Sequence, residues 1–180
     1  MSLSSRTRTA PPAHAASSRP GHDIGLVLLR GTVGLTMATH GTQKLFGWFD
    51  GSGIDGTADH FAADGYAAAE TMAVVAGLTE TLCGLGLAIG LLHPLAAAGI
   101  IGIMLNAIAT KWGNGFFNPS GIEYDLVLLA AAAGLALTGP GRFAADRLLP
   151  ALRAHRTAHG AGAIALGALT AAIVLVALRD

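Results

Sequence analysis

Four windows of this chain, residues 24–44, 68–92, 95–112 and 161–178, are long and apolar enough to cross about 30 Å of hydrocarbon at about 1.5 Å of rise per residue. With 52% hydrophobic and only 12% charged residues among 180, the chain reads as a multispan membrane protein. Helices are then the only economical spanning element, because lipid offers no partner for a bare backbone N–H or C=O. A fifth window, 122–139, is shorter. Its 126–137 core covers only about 18 Å, which places Tyr124 and Asp125 near one interface. The expected class is therefore all-α, a multispan bundle of four helices plus an additional C-terminal transmembrane helix.

Charge sets the expected organisation. Residues 1–22 are rich in Ser, Arg and Pro without an apolar run, which reads as a disordered cytoplasmic tail rather than a signal peptide. The first span is then an uncleaved anchor. Arg6, Arg8 and Arg19 precede that span, and Arg142, Arg147, Arg153 and Arg156 lie between the fourth and fifth, so both segments are expected in the cytoplasm. The loop expected over 45–66 holds Asp50, Asp55, Asp59 and Asp64 without Lys or Arg, which suits the outer side. The division that follows is a membrane domain over 23–147, a basic linker over 148–160 and the fifth helix over 161–178. Its first partner is the lipid bilayer. A formal net charge of zero argues against nucleic acid, and the lone Cys83 cannot run dithiol chemistry. No Glu-x-x-His appears, and the His-x-x-x-His of His155 and His159 lies in the exposed basic segment, so no metal site is expected.

Polar residues inside the spans are the candidates for function, since a charge at bilayer depth costs about 2.5 to 3.5 kcal/mol by insertion measurements. Arg30, Thr36, His40, Gln43 and Lys44 fall within an arc of roughly 140° on the first span. Glu80 on the second span and Asn106 on the third lie at similar depth to His40. An isolated carboxylate in hydrocarbon takes up a proton, so Glu80 is expected to pair with Arg30 or His40. Such a pair serves either to fix helix order or to line a pocket for a small head group, a quinone carbonyl or an anion, with His40 or Glu80 relaying a proton.

The outer ends of the first and third spans look alike. Lys44 and Lys111 are each followed by aromatics broken by glycine, and Met37 aligns with Met104. Snorkelling lysines in an aromatic belt explain this; a duplicated helical hairpin, with a site between its halves, explains it too. Glu123, Tyr124 and Asp125 cluster near Lys111, where carboxylates complement a helix N-terminus. Gly86-x-x-x-Gly90 has the form of a helix-dimer motif and raises a homo-oligomer, although in a chain with 25 glycines packing within the chain accounts for it better.

Taken in order, Leu28-Leu29-Arg30-Gly31, His40-Gly41-Thr42-Gln43-Lys44-Leu45-Phe46-Gly47-Trp48-Phe49, Gly77-Leu78-Thr79-Glu80, Gly115-Phe116-Phe117, Glu123-Tyr124 and Gly139-Pro140-Gly141-Arg142 resemble the DoxX family of bacterial inner-membrane proteins over about residues 24–147. The resemblance implies a four-helix membrane core and an association with redox work, since the family takes its name from the small subunit of an archaeal thiosulfate:quinone oxidoreductase. It carries over Arg30, His40, Lys44, Glu80 and Glu123 as matching positions. The expected function is a membrane subunit of a quinone-linked redox complex in the inner (plasma) membrane. It would be at most a non-autonomous oxidoreductase subunit, with no cofactor of its own beyond quinone and with a redox partner protein. The candidate ligand-binding or proton-relay residues are Arg30, His40, Lys44, Glu80, Asn106, Lys111 and Glu123. A small-solute or anion transporter and a non-catalytic membrane scaffold acting through the 142–160 segment are the alternatives.

Overall fold

Small residues decide how this chain closes. The computed structural model describes residues 20–117, 119–150, 152 and 154–179, and among them it builds six α-helices: α1 Pro20–Phe46, α2 Gly53–Ala63, α3 Ala69–Ile89, α4 His93–Lys111, α5 Glu123–Thr138 and α6 Thr157–Ala177. Most of the expected tail, 1–19, lies outside the described residues, and its last residues, 20–22, form the first turn of α1. Pro20 is suited to that place, where its missing N–H costs nothing.

Helices α1 and α3 run antiparallel in very close contact. A Cβ added at Gly34 would lie 2.5 Å from the Gly84 carbonyl oxygen, and one at Gly84 would lie 2.5 Å from the Ala38 nitrogen. Without a hydrophobic drive between helices in lipid, such backbone approach supplies the van der Waals contact that holds them. Gly31 meets nothing. Gly86 and Gly90 are used within the chain: Leu91 N–H donates to Gly86 O at 2.8 Å, and Gly90 ends α3 in the left-handed conformation at φ 70°. Their spacing therefore makes a tight α3–α4 turn.

Ala97, Ile100, Ile101, Leu87, Ala132 and Leu135 form the buried centre, where α4 lies against its neighbours. The outside is as apolar as the inside, with Leu28, Leu82, Val127, Leu169 and Val176 all exposed. An exterior of this kind suits lipid and is a liability in water. Among the described residues three helices are long and apolar enough to span, over Ala69–Ile89, His93–Asn114 and Thr157–Ala177. α1, with 27 residues, carries Asp23, Arg30 and Lys44, and α5 has only 16 residues. The molecule is an all-α membrane protein.

The connection 45–66, expected as a loop, contains α2, which packs on α1 and α3. Thr57 is buried and donates to Gly53 O, while Gly47 at φ 68° and the left-handed Phe49 and Asp50 turn the chain away from α1. Together with the far end of α6, α2 closes one end of the bundle: Ala67 N–H donates to Leu178 O at 2.9 Å, and Arg179 Nε donates to Asp64 O at 2.9 Å.

Candidate functional site

Along α1 the residues Arg30, Val33, Met37, His40 and Lys44 recur at helical spacing and form one stripe toward the bundle. Its upper part opens on a cavity of about 290 Å³. The cavity is walled by Met37, His40 and Lys44 from α1, Glu80 from α3, Met104, Asn106 and Lys111 from α4, and Tyr124, Asp125 and Leu128 from α5. His60 and Phe61 of α2, with Asp64 and Tyr66 after it, close the remaining side.

Each lysine at this cavity meets a carboxylate. Lys44 Nζ lies 2.7 Å from Glu80 Oε2, and Lys111 Nζ lies 2.8 and 3.1 Å from the two Asp125 oxygens. The carboxylates are nearly dry, at 4% and 6% side-chain exposure, while the ammonium groups keep 25% and 37%. Both lysines and both carboxylates line the cavity. Met37 and Lys44 stand two turns apart on α1, as do Met104 and Lys111 on α4, and both sets face the same space. The Lys44 and Lys111 segments, alike in sequence, thus reach one cavity.

Hydrogen bonding fixes the proton on His40. Gln43 Nε2 donates to Phe49 O at 3.1 Å, which turns the Gln43 amide oxygen to His40 Nδ1 at 3.0 Å. Nδ1 must then donate, so in the neutral ring Nε2 accepts from the Tyr124 hydroxyl at 3.1 Å. Lower in the cavity, Tyr66 donates to Asn106 Oδ1 at 3.2 Å, and the Asn106 amide donates to Gly102 O at 2.9 Å. Tyr66 precedes α3, and burial pushes its phenol above the ordinary tyrosine range, with Asp64 adding to the rise and Arg179 opposing it. It remains a donor.

Five expected site residues, His40, Lys44, Glu80, Asn106 and Lys111, line one cavity. Glu80 does not pair with Arg30 or His40 as expected. Arg30 shares the stripe with Lys44 but sits about 21 Å further down the helix, and His40 turns to Tyr124 instead. Arg30 is 3% exposed and donates through Nη2 to Phe143 O, beside Gly90 and Ala144. It holds the 139–148 segment against the far end of α1. That segment in turn brings Asp146 to the start of α4, where its carboxylate accepts from Leu92 N–H at 2.7 Å and His93 N–H at 3.0 Å.

Glu123 does not line the cavity, whereas Asp125 does. The reason is helical phase: Asp125, Leu128, Ala132 and Leu135 form the buried stripe of α5, and Glu123 lies off it. That stripe was available in the sequence and singles out Asp125. Tyr66 and His60 carried no comparable signal, because the fold of 45–66 brings them in.

The DoxX family model matches residues 25–112. These residues form a DoxX domain. No curated protein and no solved structure matches it. The DoxX match covers α1 to α4 and so includes His40, Lys44, Glu80, Asn106 and Lys111. The resemblance noted over 113–147 falls outside the matched residues, and Tyr124 and Asp125 come to the cavity from α5.

Proposed function

We propose that this DoxX-domain protein is the membrane subunit of a quinone-linked redox complex in the bacterial inner membrane, with its N-terminus in the cytoplasm, and that the cavity under α2 holds the quinone ring. The observation that carries this reading is the convergence of two lysine–carboxylate pairs, the His40–Tyr124 pair and the Tyr66–Asn106 pair on one space of about 290 Å³. Both lysines already have a carboxylate, so the cavity favours a neutral head group with hydrogen-bond acceptors over a free anion. A carbonyl-bearing ring meets that description. It also favours ring binding over anion transport, for which an unpaired cation would be the expected feature.

When bound, a quinone is a carrier of two electrons and two protons. The protein's own part is to bind, orient and protonate. Lys44 and Lys111 hold spare N–H donors toward the cavity. Tyr124 and His40 form a relay in which a proton leaving the phenol is replaced from Nε2 of a charged imidazole. The Glu80 and Asp125 carboxylates hold the lysines in place, and electrons come from a redox partner protein.

Purification in mild detergent followed by extraction and mass spectrometry tests the reading. Stoichiometric quinone in the wild type, lost in Glu80→Gln, is the expected result. Membranes that keep full quinone reduction with a folded Lys44→Ala, Glu80→Ala variant would overturn it.

A further inference from the structure

The polar cavity does not end at Tyr66 and Asn106. A second cavity of about 250 Å³ begins there, sharing Phe61, Tyr66, Ala76, Ile103 and Asn106 with the first. It descends along α4 from Asn106 past Gly102 to Gly99, a distance of about 10 Å. Its character is different. Met72, Val75 and Thr79 of α3 face Thr170 and Val174 of α6, and the Thr170 hydroxyl is occupied by the Leu166 carbonyl of its own helix at 3.0 Å.

The cleft follows from the packing. α3 and α6 both lie against α4 but scarcely touch each other. Glycines on α4 allow this close seating, Gly99 against Cys83 of α3 and Gly102 against Gly167 and Thr170 of α6. Val75 on the wall is 47% exposed, so the cleft is open to the side, toward lipid. At its upper end the Ala67–Leu178 backbone bond ties the two helices together. An apolar space of this size left empty forfeits dispersion contacts along its lining, and an apolar chain enters it from lipid at little cost, since lipid tails are as apolar as Leu.

We infer that the lower cavity holds the first part of the apolar chain of the same molecule whose head lies among Lys44, Glu80 and Asn106. The ligand is therefore amphipathic, a hydrogen-bonding ring on an isoprenoid or alkyl chain that enters sideways between α3 and α6. The inference rests on the proposed head-group site. What ties the two cavities to one ligand is their continuity at Tyr66 and Asn106, where the polar lining stops and the apolar lining starts.

Photolabelling of the full chain in lipid nanodiscs tests it, using a benzoquinone whose decyl chain carries a diazirine, with the chainless ring as competitor and thermal stabilisation by that ring as a separate readout. Label on Met72, Val75 and Val174 that the chainless ring displaces is the expected result, and it is lost in Val174→Phe and Thr79→Leu. Either variant alone suffices if the other fails to fold. Ring stabilisation with label scattered over lipid-facing residues overturns the chain site and leaves the head-group site standing. Label in the cleft that the ring does not displace overturns the inference in favour of bulk lipid tails. Neither stabilisation nor displaceable label overturns both readings.

Discussion

At one end of the bundle Lys44 and Lys111 meet carboxylates at 2.7 and 2.8 Å beside a cavity. At the other end Arg30 is 3% exposed, and its Nε and Nη1 find no hydrogen-bond partner among the described residues. Its nearby carboxylate, Asp146, has both oxygens engaged by backbone N–H groups of Leu92 and His93. The two ends thus use buried charge differently. In the cavity, each lysine is matched to a carboxylate side chain to side chain. At the far end the charges cap backbone, Arg30 on the Phe143 carbonyl and Asp146 on the start of α4, and stitch the 139–148 segment to the helices. A polar residue at membrane depth therefore marks a site only where space adjoins it.

Four measurements test this contrast. The largest effect is expected from Asp146→Ala, which leaves two N–H groups unpaired at the α4 start and Arg30 without a counter-charge; a loss of about 3 kcal/mol in reversible unfolding is expected, with ring affinity per folded molecule unchanged. Loss of ring binding in a folded Asp146→Ala protein would erase the distinction between the ends. Next, Lys44→Met with Glu80→Leu replaces the dry pair by apolar volume. Stability within about 1.5 kcal/mol of wild type, or above it, is expected, together with complete loss of bound quinone. A double variant that keeps its quinone would reduce the pair to a device for helix order.

Smaller is Tyr124→Phe, which removes one hydrogen bond to His40. Stability should fall by about 1 kcal/mol, and ring affinity by about tenfold or less if the relay and not the binding is at stake. Solvent isotope effects on quinone reduction by the assembled complex would show the relay directly, and their absence in wild type would remove it. The smallest is Glu123→Gln, off the buried stripe of α5. A change within about 0.5 kcal/mol and unaltered binding are expected, whereas a drop in binding would bring Glu123 back into the site.

How much of this was legible in the sequence depends on the range of the interaction concerned. Periodicity along α1 gave the correct face for Arg30, His40 and Lys44, because side-chain direction follows from 3.6 residues per turn. It could not say which of them meets Glu80. That choice depends on the vertical offset between α1 and α3, which is set by the Gly34–Gly84 contact. The likeness of the Lys44 and Lys111 segments was visible as pattern, and the carboxylate partner of Lys111 lay within the cluster 123–125. Phase on α5 would have chosen Asp125 over Glu123. The helix inside 45–66 was missed because its short, Asp-rich sequence has the composition of a solvated loop, and it is held by contact with α1 and α3.

The sequence alone determined that this is a helical membrane protein with ionisable groups buried at depth, since apolar length and helical period are local properties that lipid enforces on any chain. Tertiary structure decided which of those groups share a space. Backbone approach at glycines sets the height of each helix against the next, and a difference of a few turns separates a charge that lines a cavity from one that clamps a loop.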